Sequence, residues 1–200
     1  RLSFAAEPCM KSPPAGLLKV PAGGADVLPA GSTWAVHGGR ELEPLLEYTT
    51  LLDVKWLLDF ALGNVGLPGH TLRDGRPILP AWQDVPPEAV VELTDLRAST
   101  MSGFLPVAVL SYGWASKAHP DPSGEQLQQL IPALKVLAQS CDTGIGSSKE
   151  AQRGKPKAWG LLWDFAAFPQ RGHTSGRYDE AHDDRTPEQR ERFERGLRKV

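Results

Sequence analysis

Cysteine is scarce in this chain of 200 residues: Cys9 and Cys141 stand far apart, with no CxxC spacing. That excludes a disulfide framework and a zinc site of paired cysteines, and it points to an intracellular, reducing compartment or organelle. A surplus of either charge is missing as well, the formal net charge being -2. Without a basic patch or a nucleic-acid-binding motif, no nucleic-acid partner is expected. No uninterrupted apolar run reaches the roughly 18 residues needed to cross a bilayer, so no membrane span is expected. Internal repeats are absent. No Ser/His/Asp or Cys/His constellation assembles, because neither cysteine has an activating partner nearby in sequence. An initiator methionine is missing too: the chain opens at Arg1 and ends within a charged helix. The expectation is a processed or partial piece of something longer, from which a targeting peptide could have been removed.

What the chain has in quantity is punctuation, with 18 prolines and 20 glycines. In residues 1–40, Pro8, Pro13-Pro14, Pro21, Gly23-Gly24, Pro29-Ala30-Gly31 and Gly38-Gly39 recur too often for a helix or a long strand. This segment reads as an irregular arm with one short strand over Ser32–Val36; such an arm is either disordered or, where ordered, laid on a partner or on its own domain. Residues 41–100 read as a helix followed by a turn-rich docking segment. The helix is expected from Pro44 to Leu62, with proline in its first turn and Gly63-Asn64 as its stop. Its apolar residues cover most of its circumference, as in a buried or partner-facing helix. Trp34, Trp56 and Phe60 are the expected partner-docking residues. Val90–Leu93 reads as a short strand or helical turn.

Residues 101–200 carry the clearest architecture. Leu105–Leu110 is a continuous apolar run that reads as a strand buried on both faces, the parallel-sheet signature. Ser123-Gly124-Glu125-Gln126 offers a capping box, and Leu127, Leu130, Ile131, Leu134 and Leu137 follow at helical spacing. Pro132 inside that stripe predicts a kink or restart. Ala158–Trp163 reads as a second buried strand ending at Asp164. Strand, helix and strand make a βαβ unit, so both carboxyl ends lie on one sheet edge, where open α/β sheets place their ligands. Ser111-Tyr112-Gly113-Trp114 and Asp164 onward should therefore share that edge. Thr186-Pro187-Glu188-Gln189 opens a last helix with an N-cap, a proline at its first position and a capping-box Gln. Glu188/Arg192, Glu191/Arg195 and Glu194/Arg198 are expected i,i+4 pairs, with Phe193, Leu197 and Val200 on the buried side.

Val107–Leu110 with Ser111-Tyr112-Gly113-Trp114 resembles the opening motif of the heterokaryon-incompatibility (HET) domain. Leu162-Trp163-Asp164, with Gln170 six positions after the Asp, resembles that family's second motif, in wording close to HET-type proteins of algae and other protists. HET-like proteins in turn resemble TIR domains. The resemblance covers about Phe104 to Val200 and implies an α/β fold: a flavodoxin-like (TIR/HET-like) parallel sheet flanked by helices, incomplete at its carboxyl end. The irregular extension and the buried helix would precede it.

Some TIR-type domains cleave the nicotinamide–ribose bond of NAD with a single Glu. Such chemistry needs a carboxylate beside a developing oxocarbenium ion. The resemblance nominates Glu188 and Glu191 for that role, with Ser111, Tyr112, Trp114, Asp164, Gln170 and Arg185 as the ligand pocket and NAD as substrate. The residues themselves also have blander explanations: the two glutamates suit a helix start and ion pairing, and Asp164 suits a structural hydrogen bond. Gly144-Ile145-Gly146-Ser147-Ser148-Lys149 lacks the spacing of a phosphate-binding loop and reads as a flexible loop. His173, Asp179, Glu180, His182, Asp183 and Asp184 form a His/acid-rich run of a kind usually solvated, and no metal is assigned there. The balance favours a non-enzymatic interaction or scaffold module, an accessory subunit with other protein subunits as partners and no cofactor. The alternative is a TIR-type NAD glycohydrolase.

Overall fold

A computed structural model of the chain describes Leu28 and residues 32–99, 104–143, 156–173 and 183–199. Most of the arm, the Gly144–Lys149 loop, Asp179, Glu180, His182 and Val200 lie outside the described residues, as does Cys9.

The expected helix from Pro44 to Leu62 is two helices. The first, α1 (Gly39–Leu46), holds Pro44 in its interior, and the second, α2 (Val54–Ala61), starts afresh. Between them Leu52–Asp53 forms a short strand, β1. Asp53, which in sequence looks like an interruption of a greasy helix, is the cap of α2: its Oδ1 accepts from the Trp56 N–H at 2.9 Å. A carboxylate there satisfies a helical N–H that has no other partner. The expected stop holds, with Gly63 at φ +76° donating its N–H to the Phe60 carbonyl.

Two single 3₁₀ turns, Trp82–Asp84 and Pro87–Ala89, and helix α3 (Leu93–Arg97) lead to β2 (Val107–Leu110). Val90 contributes only an isolated antiparallel bridge to Leu52. Ser32–Val36 is no strand: a turn starts at Trp34.

The long helix α4 (Glu125–Thr143) runs unbroken through Pro132, without the expected restart. Its cap is also not the expected one, since Leu127 N–H donates to Asp121 Oδ2 at 2.8 Å rather than to Ser123. The apolar stripe is as read, with Leu127 and Leu134 buried and Leu130, Ile131 and Leu137 packed against the same core. Strand β3 (Gly160–Trp163) passes directly into the single turn α5 (Asp164–Ala167). The last helix is α6 (Pro187–Lys199).

The sheet is mixed, in the order β1-β3-β2. β2 and β3 are parallel, with Leu110 opposite Trp163, while β1 runs antiparallel to β3. Central β3 is buried along its whole length, but β2 is not the doubly buried strand expected of its apolar run: Val109 is 68% exposed. β2 is the last strand on its side among the described residues, and Val107, Ala108 and Leu110 are only half-buried against the two cores.

Alternate β3 side chains feed two cores. Leu161 and Trp163 join Val54, Leu57 and Phe60 of α2 and Leu127 and Leu134 of α4, whereas Leu162 joins Trp34, Leu46, Leu96 and Phe168, with Phe193 against them. Residues on both sides of position 100 fill each core.

Capping of α6 is as expected: Gln189 N–H donates to Thr186 Oγ1, and Thr186 N–H donates to Gln189 Oε1. Of the three expected i,i+4 pairs only Glu191–Arg195 forms, at 2.5 Å. Arg192 turns away from Glu188, donates to the carbonyls of Glu47 and Thr49 and lies over the Trp82 ring. The helix rests on Gly196 as well as Phe193; Leu197 is exposed.

Candidate functional site

Because β2 and β3 are parallel, their carboxyl ends share one edge, and the residues just beyond them meet. Trp114 Nε1 donates to Asp164 Oδ2 at 2.9 Å, and Asp164 Oδ1 accepts from the Phe165 N–H. Both carboxylate oxygens are thus engaged in holding the edge together. The Trp114 ring meets Phe165 edge-on at 5.5 Å. An indole fixed by a hydrogen bond at one end and a ring below it is held as a platform, and it remains 39% exposed.

Beside this platform lies an open cavity of about 220 Å³ lined by Trp114, Lys117, Ala118, Gln170, Arg171, Arg185 and Phe193. Three of the six expected pocket residues are therefore in its wall: Trp114, Gln170 and Arg185. Asp164 stands behind it as the support of Trp114. Ser111 and Tyr112 are exposed in the loop after β2 and do not line it.

Each wall residue is fixed by local chemistry. Gln170 Nε2 donates to the carbonyls of Phe168 and Phe165 at 2.8 and 3.1 Å, which turns the chain after α5. Its backbone exchanges two hydrogen bonds with the Gln83 side chain, 2.6 and 3.1 Å long. Arg185 is buried and forked onto Asp183 through Nε and Nη2, with its guanidinium 4.4 Å from the centre of the Phe193 ring. Those hydrogen bonds hold the Asp183 carboxyl down to about 2. Arg185 is therefore already matched by a carboxylate, whereas Lys117 and Arg171 form no ion pair among the described residues and are exposed at the mouth. Among the described residues no carboxylate lines the cavity.

Glu188 and Glu191 are elsewhere. Both are exposed on α6, and Glu191 is bound to Arg195. Neither lines the cavity.

The docking residues read from sequence face inward. Trp34 and Phe60 are 1% exposed and Trp56 9%, all covered by this chain's own residues. Trp34 lies against Gly39, where a Cβ would sit 2.1 Å from the indole, and its Nε1 donates to Glu43 Oε1. Trp56 stacks on Phe60 at 5.1 Å. Trp34, at the end of the arm, packs into the core of its own domain.

Away from the cavity wall, Asp84 takes two histidines. Its Oδ2 is 3.2 Å from His70 Nε2 and its Oδ1 3.3 Å from His173 Nε2. Burial pushes the Asp84 carboxyl up, but the hydrogen bonds from His173 and His70 outweigh it and hold the group well below the usual carboxylate range. The same bond raises His173 against its partial burial. Nearby, His119 donates from Nε2 to the Leu79 carbonyl, accepts the Asp121 N–H at Nδ1 and packs on Phe165, and burial lowers its pKa. The described members of the His/acid run make separate contacts: His173 with Asp84, Asp183 with Arg185, and Asp184 with the Gly172 N–H, from which it accepts. Among the described residues no group of three His, Cys, Asp or Glu side chains could hold a metal ion.

Sequence reasoning missed Lys117, Arg171 and Phe193. Lys117 lies three residues beyond Trp114 and Arg171 directly follows Gln170, so proximity to the two motifs was the available signal. No family model, curated protein or solved structure matches this chain. No helix among the described residues is long and apolar enough to cross a membrane.

Proposed function

We propose that this chain is a non-enzymatic interaction module of HET/TIR-like, flavodoxin-like type. It serves as a scaffold or accessory subunit that contacts another protein at the rim formed by Trp114, Lys117, Arg171 and Arg185. The parallel β2–β3 pair, with its two motif ends bonded through Trp114 and Asp164, supports the kinship. The observation that carries the functional reading is the make-up of the cavity: among the described residues its wall holds a fixed indole and two cations without an ion pair, and no carboxylate. NAD cleavage needs a carboxylate at the reacting carbon. The two glutamates nominated for it project from the exposed side of a neighbouring helix, whereas a binding role asks only for the cations and rings present.

Incubating the full chain with NAD and following nicotinamide release tests this reading. None is expected. Release that disappears in Glu188→Ala or Glu191→Ala would overturn it in favour of the glycohydrolase. The positive arm is purification from the native source: Lys117→Ala with Arg171→Ala should lose the co-purifying protein.

A further inference from the structure

The geometry points to an aromatic phosphate as the group this cavity receives, its ring laid on the Trp114 indole and its phosphate between Lys117 and Arg171. This inference rests on the binding reading above and adds the ligand's chemistry. Three observations carry it. The first is charge: Arg185 is forked onto Asp183, whereas Lys117 and Arg171 form no ion pair among the described residues and offer two cations suited to a dianion. Phosphate monoesters are dianions near neutral pH, their second pKa being about 6. A guanidinium forks onto phosphate oxygens, and a lysine adds a mobile point charge.

The second is the platform. Trp114 cannot swing freely, being tied to Asp164 and braced on Phe165, yet its ring remains open to solvent. A fixed indole face favours a flat group with an anion at its far end. The third is size. The cavity of about 220 Å³ is below the span of about 300–1,000 Å³ typical of pockets for drug-sized ligands, so it suits one substituted ring rather than a whole dinucleotide. A phosphorylated tyrosine on a protein partner presents this group, and so does a free aryl phosphate.

Titration calorimetry of the full chain with phenyl phosphate, inorganic phosphate, benzyl alcohol and a phosphotyrosine peptide tests the inference. Phenyl phosphate should bind, tighter than inorganic phosphate, and benzyl alcohol should not. Lys117→Ala and Arg171→Ala should each weaken binding by about tenfold, the loss of one charge-assisted hydrogen bond. Trp114→Ala should erase the preference for phenyl phosphate over inorganic phosphate. Affinity should rise as the pH passes about 6, as the second phosphate proton leaves. A peptide binding at least tenfold tighter than phenyl phosphate identifies a protein as the source, and equal binding identifies a free metabolite; both support the site. Equal affinity for inorganic and phenyl phosphate, or binding unchanged in the Lys117 and Arg171 variants, overturns it. If phenyl phosphate does not bind but the co-purifying protein is still lost in those variants, the aryl-phosphate inference fails while the interaction reading stands.

Discussion

Trp114 and Asp164, fifty residues apart in sequence, are joined by a 2.9 Å hydrogen bond across the carboxyl edge of the sheet. The bond exists because β2 and β3 run the same way with Leu110 opposite Trp163, which sends both chains off the same edge. Asp164→Ala removes the acceptor for the indole. The expected outcome is a stability loss of about 1 kcal/mol, typical of one part-exposed hydrogen bond, and weaker phenyl phosphate binding. Urea unfolding and calorimetry check the two parts. Unchanged phenyl phosphate affinity would mean the indole needs no such support.

Trp159 and Ser140 form a comparable pair inside the fold, Nε1 donating to Oγ at 2.7 Å with both residues buried. Ser140→Ala strands an indole N–H away from water. Such a loss costs about 1–3 kcal/mol. A fall in the urea midpoint with an unchanged slope is the expected signature.

Gly196 packs so closely on Phe168 that a Cβ would lie 2.3 Å from the ring. Gly196→Ala must push α6 or the ring aside, and overpacking of this kind costs about 1–3 kcal/mol despite alanine's better helix propensity. Gly66→Ala, where a Cβ meets nothing within 4 Å, is the control and should stay within about 0.5 kcal/mol of the parent. Thermal unfolding of the two variants separates them.

The His70–Asp84–His173 cluster should make stability depend on pH in a definite direction. His173 is raised in the fold, so its contribution is complete below its unfolded value of about 6.5 and is lost as pH climbs through the folded value. Asp84 is lowered, so its contribution is present above about 3.9 and is lost as pH falls through the folded value. The cluster therefore stabilises most between about pH 4 and 6.5. His119, lowered by burial, acts oppositely: its contribution is present above about 6.5 and declines as pH falls. His173→Gln should cost more stability at pH 5.5 than at pH 8.5, and His119→Gln more at pH 8.5. Urea midpoints at the two pH values decide it, and equal losses at both would sink the assignment.

Arg192 replaces an expected surface ion pair with two backbone carbonyls at the end of α1, Glu47 and Thr49. Arg192→Lys keeps the charge but cannot fork to both carbonyls or lie flat on Trp82. A loss of about 1–2 kcal/mol is expected by chemical denaturation, whereas Glu188→Gln should cost almost nothing.

Legibility in the sequence follows the range of the interactions. The cap of α6 was readable because Thr186 and Gln189 satisfy one another within four residues. The α4 stripe was readable from its period. The parallel pair was readable because a helix separates two apolar runs, and with it the meeting of Trp114 and Asp164 at one edge. The break between α1 and α2 was hidden: it depends on Leu52 pairing with Leu161, over a hundred residues away. The inward turn of Trp34 depends on the missing side chain of Gly39, and the choice of Arg192 depends on where α1 ends. Lys117, Arg171 and Phe193 come from three separate segments, and only tertiary packing makes them neighbours.

That both hydrophobic interiors are stocked from either half of the chain sets a limit on dissection. A fragment cut near residue 100 keeps the two motifs and the cavity wall but forfeits Trp34, Leu51, Leu57 and Phe60, the pieces that Leu162 and Trp163 press against. Motif-bearing halves expressed alone would present these bare surfaces to one another and clump, so the shortest useful product begins upstream of Trp34.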